Sequence, residues 1–301
     1  MKYRELGRTG RRVSTVGVGT WQFGGEWGRA FTQREADAIL DRAAACGINL
    51  IDTAECYGDH LSERLIGDYL ARRDRSAWIV ATKFGHRYHG FMNRTWHLSA
   101  AEVRAQLEAS LRALRTDVID LYQFHSGSDE QFENEELWTM LRERQRAGQV
   151  RHLGLSIAGA GHWTQVKRAT AVGAGALQIV YNRLDRRPET EAFPTAEREG
   201  LGILARVPLA SGFLSGKYRP GAVFSGEDVR ATHKPENDRR KLEEVERIAA
   251  REVPPGVPMA RWALAWCLRR PVVSAVIPGC KSPEQVADNA AAADLQIADD
   301  R

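Results

Sequence analysis

Hydrophobic and polar residues follow one another along this chain in a regular alternation of two kinds of segment. Short runs rich in β-branched and other apolar residues predict eight strands, at 15–20, 48–53, 77–83, 117–125, 150–156, 176–182, 202–207 and 272–279. Most segments between these runs have helical periodicity; over 99–115, Val103, Leu107, Leu111 and Leu114 fall on one helix face. Strands that alternate with helices are typical of a parallel sheet with right-handed crossovers.

Two of the predicted helices carry a start signal in the sequence. Thr32 and Ser99 are each followed three residues later by a glutamate, Glu35 and Glu102, which is the capping-box pattern. Eight strand–helix units favour a closed (β/α)8 barrel over an open doubly wound sheet. The predicted fold class is therefore α/β, a TIM barrel.

Two segments fall outside the repeating pattern. The first residues contain turn glycines, Gly7 and Gly10, and predict a hairpin that closes one end of the barrel. Residues 212–237 are rich in glycine, proline and charge and predict a long loop after strand seven, of a length that is usually functional or disordered. Because no linker interrupts the pattern, we expect residues 1–301 to form a single domain.

Composition excludes several classes of protein. The chain has 301 residues, of which 43% are hydrophobic and 27% charged, as in ordinary globular proteins. Its net charge of +4 is small for this length, so we expect no nucleic-acid partner. We expect no membrane span, because no apolar run approaches 18 residues, and no signal peptide, because residues 1–5 lack its apolar segment.

Cysteine and histidine spacing gives no metal motif. The four cysteines are scattered and include no CxxC pair, which predicts reduced thiols and a cytoplasmic location. His86 and His89 resemble a metal-binding pair, but no third ligand with suitable spacing follows, so we expect no metal.

Candidate catalytic residues lie where predicted strands end. Asp52, Lys83 and His125 close the second, third and fourth strands, and adjacent strand axes lie about 4.8 Å apart. Asp52 is therefore expected to pair with Lys83, while Tyr57 lies in the loop just after the second strand. Each residue alone has an ordinary structural explanation. Their joint position at the carboxyl end of a barrel, where active sites of this fold lie, favours a functional one.

These four side chains suit proton transfer to a carbonyl group. The reference pKa of tyrosine is about 10, and a nearby ammonium is expected to lower it. Asp52 would hold Lys83, and the imidazole of His125 would donate to a substrate oxygen. No protein nucleophile is evident, so a hydride from a cofactor is the expected attacking group.

A second candidate site follows the eighth strand. Ser282 is the expected N-cap of a helix, Pro283 its first residue, and Gln285 completes a Ser-x-x-Gln box. Because Lys281 immediately precedes it, this helix start could form an anion-binding site. The same residues are also typical of an ordinary capped helix, so this alternative stays open. Barrels often bind phosphate after their last strands.

These residues lie in segments that resemble the aldo-keto reductases along the whole chain. The matching segments are GTWQFGG at 19–25, IDTAECYG at 51–58, ATKFG at 81–85, DLYQFH at 120–125, GLS at 154–156, QIVYN at 178–182, PLASGFLSGKY at 208–218 and IPGCKSPEQVADN at 277–289. The resemblance implies a (β/α)8 barrel that binds NADPH and reversibly reduces aldehydes or ketones to alcohols. It implies a catalytic tetrad of Asp52, Tyr57, Lys83 and His125, with Tyr57 as the general acid.

The resemblance also implies a set of cofactor-binding residues. Near the nicotinamide these are Gly19, Thr20, Trp21, Asp52 and Arg206, and at its carboxamide they are Ser156 and Gln178. At the pyrophosphate they are Leu209, Ser211 and Lys217. At the adenosine end they are Gly279, Lys281, Ser282, Gln285 and Asn289. The chain departs from the family at three positions: Ile157 replaces an asparagine, Arg206 replaces an aromatic residue, and Gln285 stands where some members carry an arginine for the 2′-phosphate. Lys281 and Ser282 favour NADPH, and NADH stays open.

Aromatic residues near the predicted active face suggest an apolar substrate pocket. The expected pocket residues are Trp21, Tyr57, Phe84, Tyr88 and His125, with Phe23, Trp27 and Trp96 nearby. The expected partner is a small-molecule carbonyl compound, and the oligomeric state stays open. Two other functions stay open as well: a nicotinamide-binding regulatory subunit with little turnover, and a Schiff-base lyase with Lys83 as the nucleophile.

Overall fold

The structure, a computed structural model, describes residues 1–159 and 162–297. Its strands are β1 (Tyr3–Glu5), β2 (Arg12–Ser14), β3 (Val18–Gly19), β4 (Leu50–Asp52), β5 (Ile79–Phe84), β6 (His86–Tyr88), β7 (Arg94–Trp96), β8 (Ile119–His125), β9 (Val150–Ser156), β10 (Ala174–Val180), β11 (Gly202–Arg206) and β12 (Val273–Val276). Its α-helices are α1 (Gln33–Ala45), α2 (Leu61–Leu70), α3 (Ala100–Ala113), α4 (Asp129–Phe132), α5 (Glu135–Arg146), α6 (Trp163–Lys167), α7 (Pro188–Glu191), α8 (Phe193–Glu199), α9 (Pro235–Arg251), α10 (Met259–Leu268) and α11 (Pro283–Ala290).

Eight parallel strands form one curled sheet, in the order β3-β4-β5-β8-β9-β10-β11-β12. Its two outer strands meet through parallel bridges, Val16 with Val276 and Gly19 with Gly279. These bridges close the sheet, and the eight strands coincide with the eight apolar runs of the sequence. The predicted (β/α)8 barrel is thereby confirmed.

Two clusters of buried apolar side chains form the core, one inside the barrel and one between the sheet and the surrounding helices. Leu50, Leu121 and Leu204 belong to the buried cluster inside the barrel, whereas Val103 and Leu107 of α3 belong to the larger cluster between helices and sheet. Both capping boxes form as the sequence predicts, at the starts of α1 and α3. The face of α3 that the periodicity selects is the one that packs on the sheet.

The hairpin of β1 and β2 covers the end of the barrel where the strands begin. Arg4 donates hydrogen bonds to the carbonyls of Leu268 and Val273, at 2.7 and 2.6 Å, and Leu6 caps the inner cluster. Gly7 has a φ of +49°, and a Cβ added there would lie 1.9 Å from the nitrogen of Gly202. Only glycine permits this contact, so the predicted closing hairpin agrees with the structure.

The opposite end of the barrel carries a second hairpin, which the sequence pattern does not predict, and the long loop, which it does predict. A second antiparallel hairpin, β6 and β7, follows β5 directly. The long loop after β11 is ordered: its residue Asp228 pairs with Trp27 in a β-bridge, and Val229 donates a hydrogen bond to the carbonyl of Glu26 at 3.1 Å. The loop ends at Pro235, where α9 begins.

Within the described residues, the helices are all too short or too polar to cross a membrane.

Candidate active site

A cavity of about 560 Å³ opens at the carboxyl ends of the barrel strands. Most residues that the sequence assigned to a site line it: Gly19, Thr20, Trp21, Asp52, Tyr57, His125, Gln178, Arg206, Leu209, Ser211, Lys217, Gly279, Lys281, Gln285 and Asn289. Five assigned residues are not among its lining residues: Lys83, Phe84, Tyr88, Ser156 and Ser282. The first of these lies directly behind the cavity wall.

Lys83 connects Asp52 to Tyr57. Its ammonium is fully buried and donates to Asp52 Oδ1 at 2.8 Å, to the carbonyl of Thr53 at 2.7 Å and to Tyr57 Oη at 3.2 Å. An ammonium has three protons to donate, so these bonds use all of them. The arrangement brings a cavity-lining phenol into contact with a cation that water does not reach.

Asp52 remains a buried carboxylate because all its neighbours donate to it. Its second oxygen accepts hydrogen bonds from Gln178 Nε2 at 2.6 Å and from Gln123 Nε2 at 3.2 Å. Gln178 also donates to Gln123 Oε1, at 3.2 Å, which fixes the orientation of both amides. A buried charge with this many partners is stable where an unpaired one would not be.

The electrostatics of this group differ from the expectation in one respect. Burial raises the pKa of Tyr57 to about 12 and outweighs the opposing effect of Lys83. Burial lowers the pKa of Lys83, but Asp52 and Tyr57 together outweigh this effect and raise the pKa above its ordinary value, so the ammonium stays protonated. The predicted lowering of the Tyr57 pKa is therefore wrong in its net sign, because removal from water disfavours the phenolate more than Lys83 favours it.

His125 presents a neutral imidazole beside Tyr57. The two rings lie 6.4 Å apart, edge to face, and both line the cavity. Burial holds the pKa of His125 well below its usual range, and its neighbours His86 and Lys83 lower it further. His125 Nδ1 lies 3.1 Å from His86 Nδ1. A neutral ring suits a hydrogen-bond donor to a carbonyl oxygen.

The far end of the cavity is positively charged. Lys217, Arg230 and Lys281 line it, and Lys281 Nζ donates to the carbonyl of Trp27 at 2.9 Å. Burial lowers the pKa of Lys281, and the neighbouring Arg230 lowers it further. Arg230 is buried, pairs with Asp228 at 2.6 Å and lies 4.1 Å from the centre of the Phe224 ring. Three cations around one end of a cavity suit the phosphates of a dinucleotide.

The start of α11 differs from the predicted capping box in half of its contacts. Ser282 Oγ accepts a hydrogen bond from the backbone of Gln285 at 3.4 Å, as expected. The side chain of Gln285 instead accepts from the backbone nitrogen of Lys281, at 2.8 Å. Ser282 thus caps the helix, while Lys281 and Gln285 face the cavity.

Two of the three departures from the family pattern, Arg206 and Ile157, contact each other. Arg206, the last residue of β11, donates from Nη2 to the carbonyl of Ile157 at 2.9 Å. Its Nε is buried and has no hydrogen-bond partner among the described residues, as is also true of the nearby Ser156 Oγ. Burial lowers the pKa of Arg206. These unpaired buried atoms are available to a polar group that enters this part of the structure.

The aromatic residues were assigned less accurately than the polar ones. Phe84 is fully buried, with its ring 4.7 Å from Tyr122, and belongs to the core rather than to a substrate pocket. Successive strand residues point to opposite faces, so once Lys83 points inward Phe84 points towards the helices. Trp27 does line the cavity, edge-on to Trp21 at 5.3 Å, whereas Tyr88 is not among the lining residues.

Further cavity residues were absent from the sequence assignment. They include Gln22, Cys56, His86, Met92, Arg94 and Arg230. His86 and Arg94 belong to the hairpin of β6 and β7, and Arg94 forms an ion pair with the buried Glu26, which also accepts from Trp21 Nε1 at 2.6 Å. The short, polar strands of this hairpin carry no hydrophobic pattern that would predict the position of its residues at the cavity.

Comparison with known proteins identifies the class. The family model described as "Aldo/keto reductase family" matches residues 15–301. The chain belongs to this family. It is similar in structure to the aldo-keto reductase AKR11C1 from Bacillus halodurans (holo form), with a TM-score of 0.83 and 30% identity over 99% of this chain and 93% of that one.

Three relatives differ in what their names state. The chain is 32% identical to "Uncharacterized oxidoreductase YrpG" of Bacillus subtilis (strain 168), over 99% of this chain and 92% of that protein. It is 30% identical to "NADH-specific methylglyoxal reductase" of Escherichia coli (strain K12), over 99% and 95%. It is 31% identical to "Probable voltage-gated potassium channel subunit beta" of Oryza sativa subsp. japonica, over 98% and 92%.

Proposed function

We propose that this protein is an NADPH-dependent oxidoreductase that reversibly reduces an aldehyde or ketone to an alcohol, with Tyr57 as the general acid. The observation that carries the proposal is the position of Lys83 Nζ, 2.8 Å from Asp52 Oδ1 and 3.2 Å from Tyr57 Oη. Tyr57 in turn faces the cavity. This arrangement supports a role for Tyr57 as proton donor to a small molecule in the cavity, with the ammonium of Lys83 available to stabilise the negative charge that remains on Tyr57.

In the reducing direction, Tyr57 donates its proton to the carbonyl oxygen of the substrate. The bound nicotinamide would supply the hydride that forms the new C–H bond at the carbonyl carbon. Lys83 stabilises the phenolate that remains on Tyr57, and Asp52 keeps Lys83 in position. His125 orients the carbonyl oxygen towards the phenol. Tyr57 regains a proton from solvent, and the reverse sequence oxidises the alcohol.

The positive end of the cavity supports a phosphate-rich cofactor. Lys217, Arg230 and Lys281 would hold its phosphates, while Gln178 and Arg206 would contact the nicotinamide end. NADPH is preferred in this proposal because Lys281 offers a cation beside the start of α11, where the 2′-phosphate would bind. The similarity to a reductase named as NADH-specific makes a direct comparison of the two cofactors the deciding measurement.

The test of the general acid is the rate of NADPH consumption with an activated aromatic aldehyde in wild type and Tyr57→Phe. Removing a general acid lowers the rate by about 10²- to 10⁴-fold, while NADPH binding followed by fluorescence stays near the wild-type value. Tyr3→Phe is the matched control, because Tyr3 is exposed and its hydroxyl bonds only to the carbonyl of Gly47 in the described residues. Undiminished turnover in Tyr57→Phe means that another residue donates the proton.

A regulatory role is the second candidate, and the relative named as a channel subunit favours it. Such a subunit would bind the cofactor through the same residues and turn over too slowly to matter. Tight NADPH binding without measurable aldehyde reduction in the wild type would select this role. The single domain over 1–301, the cytoplasmic location and a small carbonyl substrate stay predictions.

A further inference from the structure

A cluster of four metal-ligating side chains lies at the inner end of the cavity. Glu55 and Cys56 follow β4, His86 begins β6 and His125 ends β8. One ligand atom from each residue lies within 4.8 Å of the ligand atoms of the other three. Cys56, His86 and His125 also line the cavity, so an ion can reach them from solvent.

The distances among three of these atoms match a zinc site closely. His86 Nδ1 and His125 Nδ1 lie 3.1 Å apart, and Cys56 Sγ lies 3.9 and 3.8 Å from them. With Zn–N bonds near 2.05 Å and a Zn–S bond near 2.3 Å, tetrahedral geometry places two nitrogens about 3.3 Å apart and each about 3.6 Å from the sulfur. The three side chains are therefore within about 0.3 Å of the required positions before any ion binds.

Glu55 adds an oxygen donor to this cluster. Its Oε1 accepts a hydrogen bond from the backbone nitrogen of His86 at 2.8 Å, which holds the carboxylate beside the imidazole. Its Oε2 is buried and has no hydrogen-bond partner among the described residues. A buried carboxylate oxygen without a partner is costly unless a cation or donor approaches it.

Two of the three arginine and lysine side chains whose charge acts on His125 are matched by carboxylates, and Arg206 is the third. Arg94 forms an ion pair with Glu26, and Lys83 forms one with Asp52. Neither cation is left to oppose a metal ion with its full charge. The soft sulfur of Cys56 together with two imidazoles selects Zn²⁺ or a similar thiophilic ion over Mg²⁺ or Ca²⁺, which prefer oxygen ligands.

We propose that Cys56, His86 and His125, with Glu55 beside them, form a binding site for Zn²⁺ or a similar thiophilic divalent cation. Binding releases the thiol proton of Cys56 to solvent and forms one sulfur and two nitrogen bonds to the ion. The ion would bind His125 through Nδ1 and leave its Nε2 free, so the site adjoins a group that the proposed reaction uses. Binding of the ion does not depend on turnover.

The sequence did not indicate this site because its ligands come from three distant elements. In the sequence, His86 resembles one half of a metal-binding pair with His89. In the structure, His89 Nε2 instead lies 2.8 Å from Thr95 Oγ1 across the hairpin. Barrel closure and the hairpin of β6 and β7, rather than local spacing, bring Cys56 to His86 and His125. Short-range ligand patterns cannot report such a site.

Calorimetric titration of the purified protein with Zn²⁺, and separately with Mg²⁺, tests the proposal without substrate or cofactor. We expect one Zn²⁺ per chain and no binding of Mg²⁺. Titration with Co²⁺ gives a second readout: tetrahedral coordination produces visible absorption, and a thiolate ligand adds a charge-transfer band in the near ultraviolet. Cys56→Ser should remove that band and weaken Zn²⁺ binding at least about 100-fold, beyond the usual cost of losing a second-shell partner.

Cys46→Ser is the matched control, since Cys46 lies outside the cluster and should leave both readouts unchanged. Far-ultraviolet circular dichroism reports whether each variant is folded. If Cys56→Ser does not fold, His86→Gln replaces it, with the same expected loss of Zn²⁺ affinity. Zn²⁺ binding that survives in the folded variant, a Co²⁺ spectrum without the thiolate band in wild type, or no binding at all would overturn the proposal.

Discussion

Replacing Lys83 with methionine tests whether the buried ion pair is organised as the structure shows. Lys83→Met keeps most of the side-chain volume and removes the charge, so Asp52 loses the bond of 2.8 Å to Nζ while remaining 3% exposed. Breaking a buried pair by removing one partner costs about 3–5 kcal/mol. Gln123 and Gln178 still donate to the other carboxylate oxygen, which places the expected loss of unfolding free energy at the lower end, about 3 kcal/mol.

The double variant separates the charge from the packing. Asp52→Asn with Lys83→Met removes both charges and leaves neutral groups of similar size, so we expect it to lose less stability than the two single variants added together. The difference is the coupling energy between Asp52 and Lys83, expected at about 2 kcal/mol or more for a contact of this kind.

Denaturant unfolding of wild type, both single variants and the double variant measures all four free energies. Lys167→Met is the control for removing a lysine charge, because Lys167 is exposed on α6 and should cost less than about 0.5 kcal/mol. A loss below about 1 kcal/mol in Lys83→Met, or strictly additive single variants, would refute the reasoning.

Three other predictions follow from the same structure. Lys281→Ala should weaken NADPH binding at least tenfold and leave NADH binding nearly unchanged, as fluorescence titration of both cofactors would show; equal weakening places Lys281 away from the 2′-phosphate. Because the pKa of Tyr57 is raised to about 12, the acid stays protonated, and kcat/KM for reduction should be constant from about pH 6 to pH 9. A kcat/KM that falls near neutral pH would contradict this prediction. Leu107→Ala, at a fully buried position, should cost about 2–5 kcal/mol in denaturant unfolding, and a cost below that range means α3 packs loosely.

The sequence was sufficient for the barrel and for the polar centre of the site. Eight apolar runs marked the eight barrel strands because a parallel sheet buries both of its faces and needs continuous apolar residues. Asp52, Lys83 and His125 lie at strand ends, and barrel geometry alone brings neighbouring strand ends together. Their proximity therefore follows from the order of the strands along the chain.

Other features depend on tertiary structure that the local pattern does not encode. The hairpin of β6 and β7 is polar and short, so nothing in its hydrophobicity separates it from a loop, and its residue His86 went unassigned to the cavity. Arg230 reaches the positively charged end of the cavity because its loop folds back across the cavity to pair Asp228 with Trp27. Phe84 lies in the core and not at the pocket because it follows Lys83 in β5, and neighbouring residues of a strand point to opposite faces.

The direction of the pKa shift of Tyr57 also depends on the tertiary structure. The sequence indicated a nearby ammonium, and the structure has one, but the amount of water excluded from the phenol is set by the surrounding loops. Burial proved the larger effect on this pKa. The sign of a shift that arises from two opposing contributions cannot be read from the identities of the residues alone.

The most direct test of the central claim follows a hydride. The protein would be incubated with an aromatic aldehyde and NADPH carrying deuterium at the transferable position of its nicotinamide, and the product analysed by mass spectrometry. We predict alcohol with one deuterium on the former carbonyl carbon, formed at a rate that falls at least about 100-fold in Tyr57→Phe. Bound NADPH with no deuterated alcohol from the wild-type protein would contradict the assignment of this site as a carbonyl reductase.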